Sequence, residues 1–193
     1  MKPPAPGDVM TRDAYERARP ELRRRIMVQK DKRRVAVGEH CTVHFECRDT
    51  MLYQVHEMLR AENSWDRAGA VEDELEAYGP LVPAEGELSA TVMFEYETPE
   101  ERATVLPGLV GIDRHVFLEI GGEAPLLGRF DRGQIDESKV SSVQYVKWDL
   151  DAGRRRRLEE DGTVVRIRIT HPVYTAQAVL SEECRRTIMG DPD

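Results

Sequence analysis

Cysteine is scarce in this chain of 193 residues, limited to Cys41, Cys47 and Cys184. So odd and sparse a set excludes a disulfide scaffold and points to a reducing compartment, the cytoplasm. Long apolar runs are also missing. None approaches the ~18–20 residues of a membrane-crossing helix, and the opening MKPPAPGDVM contains no apolar stretch that reads as a secretory signal. Aromatic residues make up only 6% of the chain, and none interleaves with the basic run Arg154–Arg157. That run therefore offers no stacking platform for a single-stranded nucleic acid. G-x-S-x-G, P-loop and G-x-G-x-x-G patterns are absent. Serine hydrolase, P-loop nucleotide and dinucleotide readings have no support. C-x-x-C and H-E-x-x-H are missing too, so iron–sulfur ligation and zincin chemistry have none either.

What is present is a charged chain with enough apolar residues for one core: 33% charged, 40% hydrophobic, net charge -8. The length suits a single domain, read here as residues 11–193 behind a flexible, Pro-rich N-terminus, residues 1–10. The charge is unevenly placed. Residues 1–34 hold eleven Lys/Arg against five Asp/Glu, whereas residues 35–101 hold three against sixteen. Such asymmetry marks a nucleic-acid arm, or a basic helix lying against the acidic half of its own or a twin subunit. The net acidity disfavours a polyanion partner. A homodimer would let the two halves complement each other across a two-fold axis.

Periodicity predicts an α+β fold, a mostly antiparallel sheet with N-terminal helices packed on one side. Thr11 caps a helix through Ala18, and Pro20 stops it or opens a second helix over 20–33. Residues 35–46 alternate as one strand, with Val35, Val37, Cys41, Val43 and Phe45 on its apolar face. A helix follows to about Glu62, its apolar face made by Met51, Leu52, Val55, Met58 and Leu59. Another spans about 68–78. Strands are predicted near 88–96, 116–120, 125–130, 141–150, 163–170 and 173–180. Thr98 and Glu101 form a capping box for a helix over 99–106, and a short helix follows Ser181.

The stretch GEHCTVHFECRDTMLYQVHEMLR, residues 38–60, holds three of five histidines and two of three cysteines. His40 and His44 lie about 13 Å apart on a regular strand, too far to share an ion. His44 and Glu46 share a face, and His56 on the next helix is the third donor of a candidate site for iron, manganese or zinc. A second reading uses the polar stripe of that helix. Glu46 and Glu57 are candidate general bases. Arg48, Tyr53, Gln54 and Arg60 would then hold a small anionic molecule or a partner protein. The plainer alternative is a solvated face laced with weak ion pairs. Cys41 reads as a buried small hydrophobe, and Cys47 as a thiol near a helix N-terminus.

The segments YERARPELRRRIMVQKDKRRVAVGEH (15–40), FECRDTMLYQVHEMLRAE (45–62), EDELEAYGPLVP (72–83) and ELSATVMFEY (87–96) resemble an uncharacterised bacterial domain-of-unknown-function family of about 190 residues. RHVFLEIGG (114–122), SSVQYVKWDL (141–150) and HPVYTAQ (171–177) extend the resemblance. Its most specific part is built on Tyr53, Gln54, Glu57, Met58, Leu59 and Arg60. Members of that family are often encoded beside rubrerythrin-like di-iron and iron–sulfur oxidoreductase proteins. The resemblance implies an accessory protein of an iron-linked or peroxide-linked redox system, docking on such a partner through the helix at 50–62. It also shifts weight from His44, Cys41 and Cys47 to Glu46, Arg48, Gln54, Glu57 and Arg60. The alternative is a small enzyme with a Glu general base acting on an anionic small molecule.

Overall fold

A computed structural model describes residues 1–131 and 140–190. Nine strands among the described residues divide between two antiparallel sheets. The first sheet holds β1 (Arg34–Ala36), β2 (Cys41–Phe45), β3 (Glu87–Phe94), β6 (Arg129–Phe130) and β7 (Val143–Asp149), in the order β1-β2-β3-β7-β6. The second holds β4 (Val116–Ile120), β5 (Leu126–Leu127), β8 (Val165–His171) and β9 (Tyr174–Val179), in the order β5-β4-β8-β9. Alternate residues of both sheets meet in one core. Val43, Phe45, Val92 and Trp148 come from the first, and Val116, Leu118, Ile167 and Ile169 from the second. A period of two with one apolar face produces this, because each strand turns every other side chain inward.

The helices are α1 (Arg12–Lys32), α2 (Arg48–Ala61), α3 (Ala70–Tyr78), α4 (Pro99–Val105), α5 (Ala152–Glu159) and α6 (Glu182–Met189). Val55 and Leu59 of α2 pack with Ala70, Val71 and Leu75 of α3, while Met51 and Leu81 meet Tyr145 on the outer face of β7. The N-terminal helices therefore lie on the outer side of the first sheet, as the α+β reading expects. Leu158 of α5 and Ile188 of α6 join the core between the sheets. No described helix is long and apolar enough to cross a membrane.

Several local expectations need correction. The strand predicted over 35–46 is a hairpin. β1 pairs with β2 in the register Val35↔Val43, and Gly38 at φ +79° turns the chain between them. The apolar face survives because Val35, Val37, Cys41, Val43 and Phe45 are all buried in the same core. Pro20 does not break the N-terminal helix, since α1 runs through it. Anchors on both sides, Tyr15 before it and Ile26 after it, are buried, and together they offset the ~3 kcal/mol of an interior proline. The segment 125–130 pairs with β4 only as far as Leu127, then crosses to β7 of the other sheet. Gly128 sits at the crossing, its N–H donating to the Val116 carbonyl at 2.8 Å. A Cβ there would fall inside the Val146 side chain and 3.2 Å from the Val116 oxygen. Helix α5 had no periodic signal. Asp151 caps it at 2.8 Å from the Arg154 N–H, and its arginines pair within the chain, Arg154 with Asp151 and Arg157 with Glu160. The capping box at Thr98 and Glu101 forms as expected, at 3.1 and 3.2 Å.

Candidate functional site

The junction of β2 and α2 places the central group. Val43 and Phe45 point into the core, so His44 and Glu46 face the helices. The Glu46 N–H still pairs with the Ser89 carbonyl at 2.8 Å, one step beyond the strand's end. The next residues start α2. Cys47 stands at its N-cap, and the Thr50 hydroxyl accepts the Cys47 N–H at 3.0 Å. That same hydroxyl donates to Glu46 Oε2 at 2.6 Å, while Thr91 Oγ1 of β3 donates to Oε1 at 2.6 Å. Glu46 is only 5% exposed. A buried carboxylate is costly unless its oxygens find donors, and here each oxygen has a threonine.

Glu46 opens onto a cleft of about 300 Å³ between the outer face of the first sheet and the helical layer. The sheet contributes His44, Thr91, Met93, Val143 and Tyr145 to its lining. Lys30 comes from α1, Met51 and Gln54 from α2, Tyr78 from α3, and Leu81 from the turn after it. Register arranges the floor in rows. His44 lies opposite Thr91, and Thr91 opposite Tyr145, so one row crosses β2, β3 and β7. Met93 and Val143 lie opposite each other in the next row. Gln54 and Tyr78 line the same side of the cleft. Burial, with Lys30 and Arg34 nearby, pushes the His44 pKa down against the pull of Glu46 and Glu95. His44 is therefore a neutral imidazole at pH 7, and its buried Nδ1 has no hydrogen-bond partner among the described residues.

Residues 5–191 match the family described as protein of unknown function (DUF3501). The chain belongs to this family. A crystal structure of a novel protein of unknown function from Burkholderia pseudomallei K96243 has the same fold, at a TM-score of 0.90 and 33% identity. The likeness covers 98% of this chain and 99% of that one. No curated protein matches.

In this DUF3501 chain the residues singled out from the sequence separate into two groups. His44, Glu46 and Gln54 line the cleft. Glu57, Tyr53, Arg48, Arg60 and His56 do not; they fasten α2 to the segments around it. Glu57 accepts both Arg19 Nε and Nη2, at 2.7 and 2.8 Å, and the Tyr15 hydroxyl at 2.5 Å. The Arg19 hydrogen bonds, with help from Tyr15, hold its pKa down at about 2 despite partial burial. A carboxylate so committed is a clamp between α1 and α2. Tyr53 is buried beside it, its hydroxyl 3.4 Å from Arg23 Nη1. Arg60 pairs with Glu16 at 2.8 Å and Arg48 with Asp8 at 2.7 Å.

His56 is turned away from His44 and Glu46. Its Nδ1 lies 2.7 Å from the Leu52 carbonyl, which can only accept, so Nδ1 carries the proton. Its Nε2 accepts the Met10 N–H at 2.9 Å, and its ring stacks on Tyr15 at 4.6 Å. Both nitrogens are engaged, and the set His44, Glu46, His56 does not converge. Among the described residues no three His, Cys, Asp or Glu gather to hold a metal ion. Residues 1–10, read as flexible, make specific contacts. Met10 is held between His56 and the Trp65 indole (3.0 Å), and the N-terminal amine donates to the Pro83 carbonyl at 3.2 Å. All three cysteines are buried thiols. Burial pushes Cys41 up to about 12 and Cys184 to about 11, and Cys47 Sγ accepts from Gln29 at 3.3 Å.

Lys30, Tyr78, Thr91 and Tyr145 line the cleft and were not singled out. Two had a signal. Lys30 follows the buried Ile26 by four residues, one helical turn on the same face. In SVQYVKW, Gln144, Val146 and Trp148 turn inward, so Tyr145 faces the helices. Tyr78 and Thr91 sit in patterns that read equally well as core or surface.

Proposed function

We propose that this protein is a small enzyme that takes an anionic small molecule into the cleft between the first sheet and the N-terminal helices, with Glu46 as general base. The observation that carries this reading is one buried carboxylate, fixed by two threonine hydroxyls, facing a cleft of about 300 Å³. A cleft of that size suits a small ligand. Lys30 supplies the positive charge in place of Arg48 and Arg60, which are paired elsewhere. Neutral His44 stands beside the base as a proton acceptor or donor for the second half of a proton transfer. The two threonine donors fix the orientation of Glu46 in the cleft. On the flank of α2 through which a rubrerythrin-like or iron–sulfur partner would dock, Glu57 and Arg60 pair with Arg19 and Glu16 of α1, which favours the cleft as the site. Buried free thiols fit a reducing cytoplasm.

The test is nuclear magnetic resonance of the full chain in deuterated buffer with mixed carboxylate and phosphate metabolites. Loss of a substrate signal, or deuterium uptake into one, is expected for the wild type and not for Glu46→Gln. A mixture left unchanged by the wild type, or changed equally by Glu46→Gln, overturns the assignment.

A further inference from the structure

The register of the sheet grades the cleft from one side to the other. On the β2 side stand His44 and Glu46, with Lys30 above them from α1. Two strands away, on β7, stand Val143 and Tyr145, with Met93 between on β3. The roof follows the same gradient, because Leu81 and Tyr78 pack with Met51 against Tyr145. Neighbouring strands are ~4.8 Å apart, so the polar and apolar ends are separated by about 10 Å.

The charge at the polar end narrows the ligand further. Among the described residues that line the cleft Lys30 is the one cation, and it stands with a carboxylate, Glu46, while Arg34, opposite His44 in the register, lies 3.8 Å from Glu95. A phosphate or a dicarboxylate would bring two negative charges against one positive charge and Glu46. A monocarboxylate brings one. Its two oxygens need two N–H donors. Lys30 gives the first, and the imidazole of His44, which lines the cleft, gives the second from a ring N–H. We infer that the ligand is a monocarboxylic acid with a compact apolar tail, its carboxylate between Lys30 and His44 and its tail lying across β3 to Tyr145. This rests on the reading of the cleft as an anion site. It adds the substrate class, and it makes Tyr145 and Met93 the residues that set tail preference.

The experiment is calorimetric titration of the full chain with acetate, butanoate, hexanoate and decanoate, alongside hexanol and inorganic phosphate. Affinity is expected to rise roughly fourfold per methylene until the tail fills the apolar end, and to flatten by decanoate. Tyr145→Ala should weaken hexanoate roughly tenfold more than it weakens acetate. Met93→Asn gives the same comparison should Tyr145→Ala fail to fold. Carboxylates that bind with no gain along the series would overturn the tail and leave the anion site standing. Phosphate binding more tightly than hexanoate would overturn the monocarboxylate assignment. Hexanol matching hexanoate, or no binding by any carboxylate, would overturn the anion site and this inference with it.

Discussion

Glu57→Gln offers the sharpest test of the division between clamp and cleft. Glu57 gathers two hydrogen bonds from Arg19 and one from Tyr15, and its carboxyl titrates at about 2 in place of the ordinary 4.5. A depression of that size corresponds to ~3.4 kcal/mol of stability at pH 7. Partial solvent exposure of both partners, 25% and 21%, trims this to about 2–3 kcal/mol. The pKa is depressed on folding, so the contribution is complete above the unfolded value and lost as pH falls toward the folded one. At pH 3 the linkage leaves ~1.4 kcal/mol before any trimming. The advantage of wild type over Glu57→Gln should therefore shrink by up to about 2 kcal/mol between pH 7 and pH 3. Urea unfolding followed by fluorescence of Trp65 and Trp148 measures it at each pH. A difference constant across that range, or below ~1 kcal/mol at pH 7, would refute the clamp, since exposed ion pairs contribute up to about that much.

Other consequences are simpler to read. Gly128→Ala should destabilise by about 1–3 kcal/mol, because its Cβ meets Val146 and the Val116 carbonyl where the chain changes sheets; an unchanged unfolding midpoint would count against the crossing. Thr91→Val removes one donor from buried Glu46 and should cost about 1–3 kcal/mol, more than Thr104→Val on exposed α4 in the same denaturation assay. His56, held neutral by burial with its pKa below 6.5, contributes stability above pH 6.5 that is lost as pH falls and the unfolded chain takes up the proton. Replacing it by Gln, which keeps an acceptor for Met10, should flatten the decline of the thermal midpoint from pH 7 to 5. An identical slope would place the proton elsewhere.

Alternation was the most legible signal in the sequence. Val116, Leu118 and Ile120, or Val165, Ile167 and Ile169, announce a buried face with period two, and the structure places all six in the core. Caps with a polar side chain were legible for the same local reason, as at Thr98 and Ser181. The sheet to which a strand belongs was not legible, because that is decided by long-range pairing. Gly121 and Gly122, both at positive φ, reveal the turn after β4, but nothing nearby reveals that Gly128 sends the chain into the other sheet. Pro20 misled in the opposite sense. A local rule against helix interiors lost to anchors at Tyr15 and Ile26 that only the folded chain brings to bear.

The same contrast explains why the polar stripe of α2 reads as a site from sequence and turns out to hold one in place. Tyr53, Glu57 and Arg60 lie within one to two turns of each other, so any reading by spacing joins them to Gln54 and Glu46. A helix, however, distributes such residues around its axis. Glu57 and Arg60 face α1, where Arg19 and Glu16 meet them, while Gln54 faces the sheet. Lys30 stands eleven residues beyond Arg19 on the same helix, about 16 Å along the axis at 1.5 Å per residue. The clamp at Glu57 thus fixes where α1 crosses the sheet and sets the height of Lys30 above Glu46. Loosening it should weaken anion binding by moving Lys30, although Glu57 never touches the ligand. If Glu57→Gln were to lose stability while binding hexanoate as tightly as wild type, the cleft would be shaped by the sheet alone.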